Sequence, residues 1–79
     1  MEVRFFAGAA EAAGIESTVI DTTGLTGDGL VELLAADNEH LERVLRVSSL
    51  LADGVRVADR SAALGNVRCI DVLPPFAGG

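Results

Sequence analysis

Lysine is absent from this 79-residue chain, and its positive charge rests on six arginines (Arg4, Arg43, Arg46, Arg56, Arg60 and Arg68) scattered along its length. Twelve acidic residues stand against them, for a net charge of -6. Nucleic-acid binding takes basic residues clustered against phosphate, so this balance argues against a nucleic-acid partner. The acidic surface reads as a solubility feature that can also steer the chain toward a basic partner. The one cysteine, Cys69, excludes an internal disulfide and a cysteine-rich metal site, and it fits a reducing cytoplasm. No apolar run approaches the ~20 residues that cross a bilayer, so no membrane partner is expected. Nor does a basic segment followed by an apolar one suggest a secretory signal.

Reactive side chains are equally scarce. His40 has no partner nucleophile and sits among Glu39, Glu42 and Arg43, the pattern of a solvated helix face. Cys69 lies inside an apolar run and reads as a small buried hydrophobe rather than a reactive thiol. Asp59-Arg60 reads as part of a loop that could touch a partner. The segment Gly24–Gly29 is glycine-rich but lacks the lysine and the spacing of a phosphate loop. With no Ser/His/Asp set, no paired catalytic carboxylates and no metal-ligand cluster, the chain does not read as a self-sufficient enzyme. No metal site and no bound cofactor are expected.

What is present is a compact alternation of strand and helix signals, within a length that allows one domain. Val3 and Phe5 alternate with Glu2 and Arg4, which predicts a half-buried strand over residues 2–7. Ala9–Ala13 predicts a short helix stopped by Gly14, and the β-branched run within residues 15–21 predicts a second strand. After a turn region over residues 22–29, Leu30, Leu33 and Leu34 recur at helical spacing, giving a main helix over residues 28–36 ended by Asp37-Asn38. Leu41, Val44 and Leu45 suggest a second short helical piece. Asp53-Gly54 between the apolar runs 48–52 and 55–57 predicts a hairpin, and residues 58–66 a loop. The run 67–73 is apolar on both faces and predicts a central strand. Pairing the first and last strands in the middle gives an α+β fold of the β-grasp kind, a mixed sheet of about five strands covered on one face by one main helix. Residues 1–73 form the domain and residues 74–79 its tail.

The tail carries the candidate chemistry. Pro74 and Pro75 cannot donate ladder hydrogen bonds, so pairing stops there, and their fixed φ aims the last four residues away from the body. Phe76 is one of only three phenylalanines, and an aromatic beyond a Pro-Pro break suits an interface anchor. Gly78 and Gly79 lack Cβ atoms and can thread a narrow channel, bringing a terminal carboxylate to another protein's catalytic groups. A carboxylate becomes electrophilic once adenylated, and the acyl adenylate can accept sulfur to give a thiocarboxylate.

Arg4-Phe5-Phe6-Ala7, Glu11, Gly14, Asp53-Gly54 and Val72-Leu73-Pro74-Pro75-Phe76-Ala77-Gly78-Gly79 together resemble the small subunit of molybdopterin synthase, a ubiquitin-like sulfur carrier. The resemblance spans essentially the whole chain, and the Pro-Pro-x-x-Gly-Gly ending is its most specific part. It implies that an ATP-dependent, E1-like adenylating enzyme activates Gly79 and that a cysteine desulfurase or rhodanese supplies the sulfur. The large synthase subunit, which holds the catalytic side chains, would receive the tail and pass sulfur to the cyclic pyranopterin precursor. Gly79 would bear the sulfur, with Gly78, Ala77, Phe76 and Pro75 contacting the partner. Ala10 stands where many members carry an arginine. Carriers for thiamin or cysteine synthesis share this chemistry. Two rivals from other classes are a ubiquitin-like modifier, joined to target lysines through Gly79, and a binding module with an inert tail.

Overall fold

A computed structural model describes residues 1–21 and 23–75. Thr22 and the tail residues Phe76, Ala77, Gly78 and Gly79 lie outside the described residues. In chain order the elements are β1 (Glu2–Phe5), α1 (Gly8–Ala13), β2 (Ser17–Val19), α2 (Gly27–Leu34), α3 (Glu39–Val47), β3 (Ser49–Ala52), β4 (Val55–Arg56) and β5 (Cys69–Leu73). The strands form one sheet in the order β2-β1-β5-β3-β4. β1 and β5 run parallel, and every other neighbouring pair is antiparallel.

Period-two alternation makes the sheet two-faced. Val3, Phe5, Leu50, Ile70 and Val72 point inward and are buried. They meet Ala9, Leu30, Val31, Ala35, Leu41 and Leu45 from the helices in one core. Registers Val3↔Ile70 and Phe5↔Val72 place the inward residues of the two middle strands side by side, and Leu50↔Val72 extends that layer to β3. Truncating Ile70 to alanine in this fully buried position is expected to cost about 2–5 kcal/mol.

The elements end where the backbone compels it. β1 stops at Phe5, two residues short of the predicted run, because Ala7 has φ 49° and turns the chain into α1. α1 ends at Gly14 in the left-handed conformation, φ 76°. Thr26 caps α2, its Oγ1 accepting from the Gly29 N–H at 3.0 Å. Asn38, predicted to end the main helix, instead opens the next one: its Oδ1 accepts from the Leu41 N–H at 3.0 Å. α3 is therefore nine residues long, against eight for α2, so the predicted short piece is a full partner in the helical layer.

Two devices fasten the long connections. Asp53 and Gly54 both have positive φ, 48° and 85°, as a primed hairpin turn requires. The Asp53 carboxylate also accepts from the Arg68 and Cys69 N–H groups, at 3.1 and 3.0 Å, and so ties the hairpin to the start of β5. The loop over residues 58–66 is pinned to α2. The Asp28 N–H donates to the Arg60 carbonyl at 2.8 Å, and the Leu64 N–H donates to the Leu25 carbonyl at 2.9 Å. Gly27 permits this approach, since a Cβ there would lie 3.0 Å from the Arg60 main chain. The Arg60 guanidinium in turn donates to the carbonyls of Leu45 and Ser48, closing the C-terminal end of α3.

Replacing Arg60 with alanine would remove the guanidinium donor from the Ser48 carbonyl and leave the Leu45 carbonyl only the Ser48 N–H at 3.3 Å, and the expected loss is about 2 kcal/mol. Urea denaturation would read this as a lower midpoint at unchanged slope. Lysine should rescue little, because a point-like ammonium cannot reproduce the planar fork.

Candidate functional site

β5 is the middle strand of the sheet, paired over four residues with β1 on one side and over four with β3 on the other. Its last residue, Leu73, pairs with Ser49, and the chain then passes to a half-buried Pro74 and an exposed Pro75. Pairing ends at the prolines, as their missing N–H groups require. Of the predicted tail contacts, Pro75 therefore sits at the surface where the central strand leaves the sheet. Phe76, Ala77, Gly78 and Gly79 fall outside the described residues.

Around this exit the open face of the sheet is organised by register. One cross-strand row runs Ser17, Arg4, Asp71, Leu51, Arg56, through all five strands. Within it the Arg4 guanidinium grips Asp71 with two hydrogen bonds, Nε to Oδ1 at 2.6 Å and Nη2 to Oδ2 at 2.9 Å. That bidentate contact, together with its charge, holds the Asp71 carboxyl below the usual carboxylate range. The same guanidinium lies 5.9 Å from the centroid of the Phe6 ring, within cation–π reach. Phe6 is 39% exposed, and its N–H donates to the Val72 carbonyl at 3.2 Å, so its main chain is fastened two residues before Pro74.

Cys69 lies two residues upstream of Asp71 on the same face, half-buried rather than in the core, and its Sγ donates to Asp71 Oδ1 at 3.5 Å. Burial first, and then the acceptor Asp71, push the Cys69 thiol up, so it stays protonated at neutral pH. The thiol is thus a poor nucleophile in this setting.

Ala7 introduces strain next to this face. Its φ of 49° with ψ -126° falls in a region that glycine occupies almost alone. A cleft of about 480 Å³ opens there, bordered by Phe6, Ala7, Ala10, Glu16 and Ser17. Ala10, with its small side chain, is among the residues that border it.

The remaining candidates resolve individually. His40 is exposed on α3, as a solvated helix face predicts. Asp59 turns back on its own loop, accepting from the Ser61 N–H at 2.9 Å and from its hydroxyl, while Arg60 is a clamp inside the fold. The segment Gly24–Gly29 forms the turn into α2 and its first residues. No group of three His, Cys, Asp or Glu residues that could hold a metal ion occurs among the described residues. No helix among them is long and apolar enough to cross a membrane. No sequence motif marks the Arg4–Asp71–Phe6 cluster, although Arg4 and Asp71 both occupy outward positions of apolar-alternating strands.

A mixed sheet in this order, with a parallel central pair and its helices on one face, is the ubiquitin-like β-grasp found among sulfur carriers. Solved structures agree over the full length. The chain is similar to SAMP1 from Haloferax volcanii, with 27% identity and a TM-score of 0.78, over 100% of this chain and 98% of that one. It is also similar to the Haloferax volcanii HVO 2177 protein, with 29% identity and a TM-score of 0.73, over 99% of this chain and 84% of that one. No protein-family model matches the sequence, and no curated protein does.

Stability measurements check this geometry at two positions. Ala7→Gly should raise stability by about 1 kcal/mol, measured in urea, because glycine takes this φ and ψ without strain. Asp71 has its folded value depressed, so its stabilising contribution is present above the unfolded value, near pH 3.9, and is lost as pH falls through the folded one. Asp71→Asn should therefore lower stability at neutral pH and flatten, without abolishing, the loss on acidification. Asp21 and Asp59, also held low by hydrogen bonds from Thr23 and Ser61, keep part of that loss.

Proposed function

We propose that this protein is a ubiquitin-like sulfur carrier acting through the carboxyl group of Gly79, and that it serves as the small subunit of molybdopterin synthase in the cytoplasm. The observation that carries the reading is that β5, bonded on both sides, runs straight into Pro74-Pro75. The Phe-Ala-Gly-Gly sequence thus follows the middle strand of the sheet. The whole-length likeness to SAMP1 and to the HVO 2177 protein supports it. So does the protonated, half-buried state of Cys69, which leaves the thiol ill suited to carry sulfur.

The chemistry is that of an activated carboxylate. An oxygen of the Gly79 carboxylate attacks the α-phosphorus of ATP on an adenylating enzyme, and pyrophosphate leaves. The terminal sulfur of a donor persulfide then attacks the acyl carbon and expels AMP. A second thiol cleaves the resulting acyl disulfide, releasing the thiocarboxylate and an ordinary disulfide. The domain contributes the platform. Its open face carries the neutral row Arg4–Asp71–Leu51 and the Phe6 ring beside the exit, where an enzyme holding the tail would also touch the sheet. Synthase catalysis belongs to the large subunit, in which the thiocarboxylate sulfur would pass to the pyranopterin precursor.

A second reading shares the first step: attachment of adenylated Gly79 to lysines of target proteins. The absence of lysine from the chain would confine that activity to single attachments, without isopeptide-linked polymers.

Incubation with a competent adenylating enzyme, ATP and a persulfide donor should exchange one terminal oxygen for sulfur in the intact mass. Deletion of Gly79 should abolish the exchange while leaving the circular dichroism spectrum and urea midpoint unchanged. No exchange, with the same enzyme loading a known carrier, would overturn the carrier reading. Loading without dithiolene formation by the large subunit would redirect it to thiamin or cysteine synthesis. Adducts on many proteins would favour the modifier.

A further inference from the structure

The cleft beside Ala7 opens at the end of the sheet from which the tail departs. β1 and β5 run parallel and finish at that end, with the Phe6 N–H donating to the Val72 carbonyl at 3.2 Å. β2 is antiparallel to β1, so it begins there, and the Phe5 N–H donates to the Glu16 carbonyl at 2.8 Å. Phe6, Ala7, Ala10, Glu16 and Ser17 thus border a space of about 480 Å³ at the β1–β2 end of the sheet. In the strand order β2-β1-β5 this is one to two strand spacings from β5, ~5–10 Å.

Its walls suit an aromatic ring. Phe5, Phe6, Ala7 and Ala10 supply an apolar lining, and Phe6 still faces water over part of its surface. Arg4 lines the cleft too, and its guanidinium, held by Asp71, lies 5.9 Å from the Phe6 centroid. A ring entering here would meet another ring and a fixed cation, both of which attract it. At the rim Ala7 keeps its glycine-like φ and ψ, and strain of this kind gathers at ligand clamps.

The chain carries its own occupant. Of its three phenylalanines, Phe5 and Phe6 line the cleft, and the third, Phe76, follows three residues after Leu73, outside the described residues. Three residues span at most about 10 Å, which matches the separation of the cleft from the middle strand. A group tethered this closely reaches its site at an effective concentration on the order of mM. A second copy has no such tether and would bring a charge of -6 against -6.

We propose that in the unbound protein Phe76 seats in this cleft, against Phe6 and Ala10, and holds the tail to the body. Gly79, three residues on, is then kept near the sheet and out of a partner's channel. An enzyme that receives the tail must work on the released fraction, and its apparent affinity falls by that fraction. The contact stands without sulfur loading; its effect on loading rests on the carrier reading.

The test uses the full chain without any enzyme, so its outcome is separate from that of the loading experiment. In a ¹³C,¹⁵N-labelled sample, nuclear Overhauser contacts are expected from the Phe76 ring to the Ala7 and Ala10 methyl groups. Removing residues 76–79 should shift the amides of Phe6, Ala7, Ala10 and Ser17. Chymotrypsin, which cleaves after phenylalanine, should release the last three residues about tenfold faster from Ala10→Leu. Cleavage tracks the open population, and the larger side chain fills the seat. The proposal is overturned by the absence of those contacts, by contacts found only between a labelled and an unlabelled copy, or by truncation shifts confined to residues 73–75. Equal cleavage of the folded Ala10→Leu variant and the parent also overturns it. Were that variant to unfold, the contacts in the unaltered protein decide.

Discussion

The parallel pairing of β1 with β5 is the constraint on which the other elements depend. It joins residues 2–5 to residues 69–72, so everything between must be accommodated on either side of that seam. β2 attaches outside β1 and β3 outside β5, and the helices close over the inward residues of the middle strands. The same pairing sets Arg4 against Asp71, ties the Phe6 main chain to Val72, and puts Pro74 at the end of a strand braced on both sides. Contacts this distant in sequence form only after a large loss of chain entropy. Once formed, a doubly bonded central strand belongs to the part of a fold that opens last. The end of β5, where the proposed tail departs, is thus held by a strand paired over four residues on each side.

Charge divides the molecule along the sheet. On the open face acids and arginines cancel within a few residues, leaving Leu51 and Leu73 half-buried between them. The other surfaces carry the excess of acid, without lysine to offset it. A protein with two such surfaces can present a near-neutral platform to one partner and an acidic one to another. Each contact then responds differently to salt, since screening weakens the acidic face far more than the neutral one.

How much of this could be read from the residues depended on whether the signal was local. The hairpin at Asp53-Gly54, the stop at Gly14 and the end of pairing at Pro74-Pro75 are each written in one or two residues, and the structure has them there. The central place of β5 was legible from apolar residues on both faces. The limits of β1 were not, because nothing in the composition of Phe6-Ala7 announces a positive φ at an alanine. Asn38 misled for a related reason: the side chain that suits a helix end suits a helix start equally well. At the site, the prolines and glycines stood out as a motif. Arg4, Asp71 and Phe6 did not, because their meeting depends on a register between segments 67 residues apart. The clamp role of Arg60 was hidden in the same way, by carbonyl partners that no sequence pattern marks.

Asp53 acts over a greater distance than its place in a hairpin suggests. By holding the N–H groups of Arg68 and Cys69, its carboxylate counts the chain into the sheet. A slip of one residue in β5 would turn Ile70 and Val72 to solvent and drive Asp71 into the core. The same slip would shift the prolines along the strand and change the length of chain beyond the sheet. The turn at one end of the strand is thus a ruler for the other, setting the reach of whatever the last residues deliver.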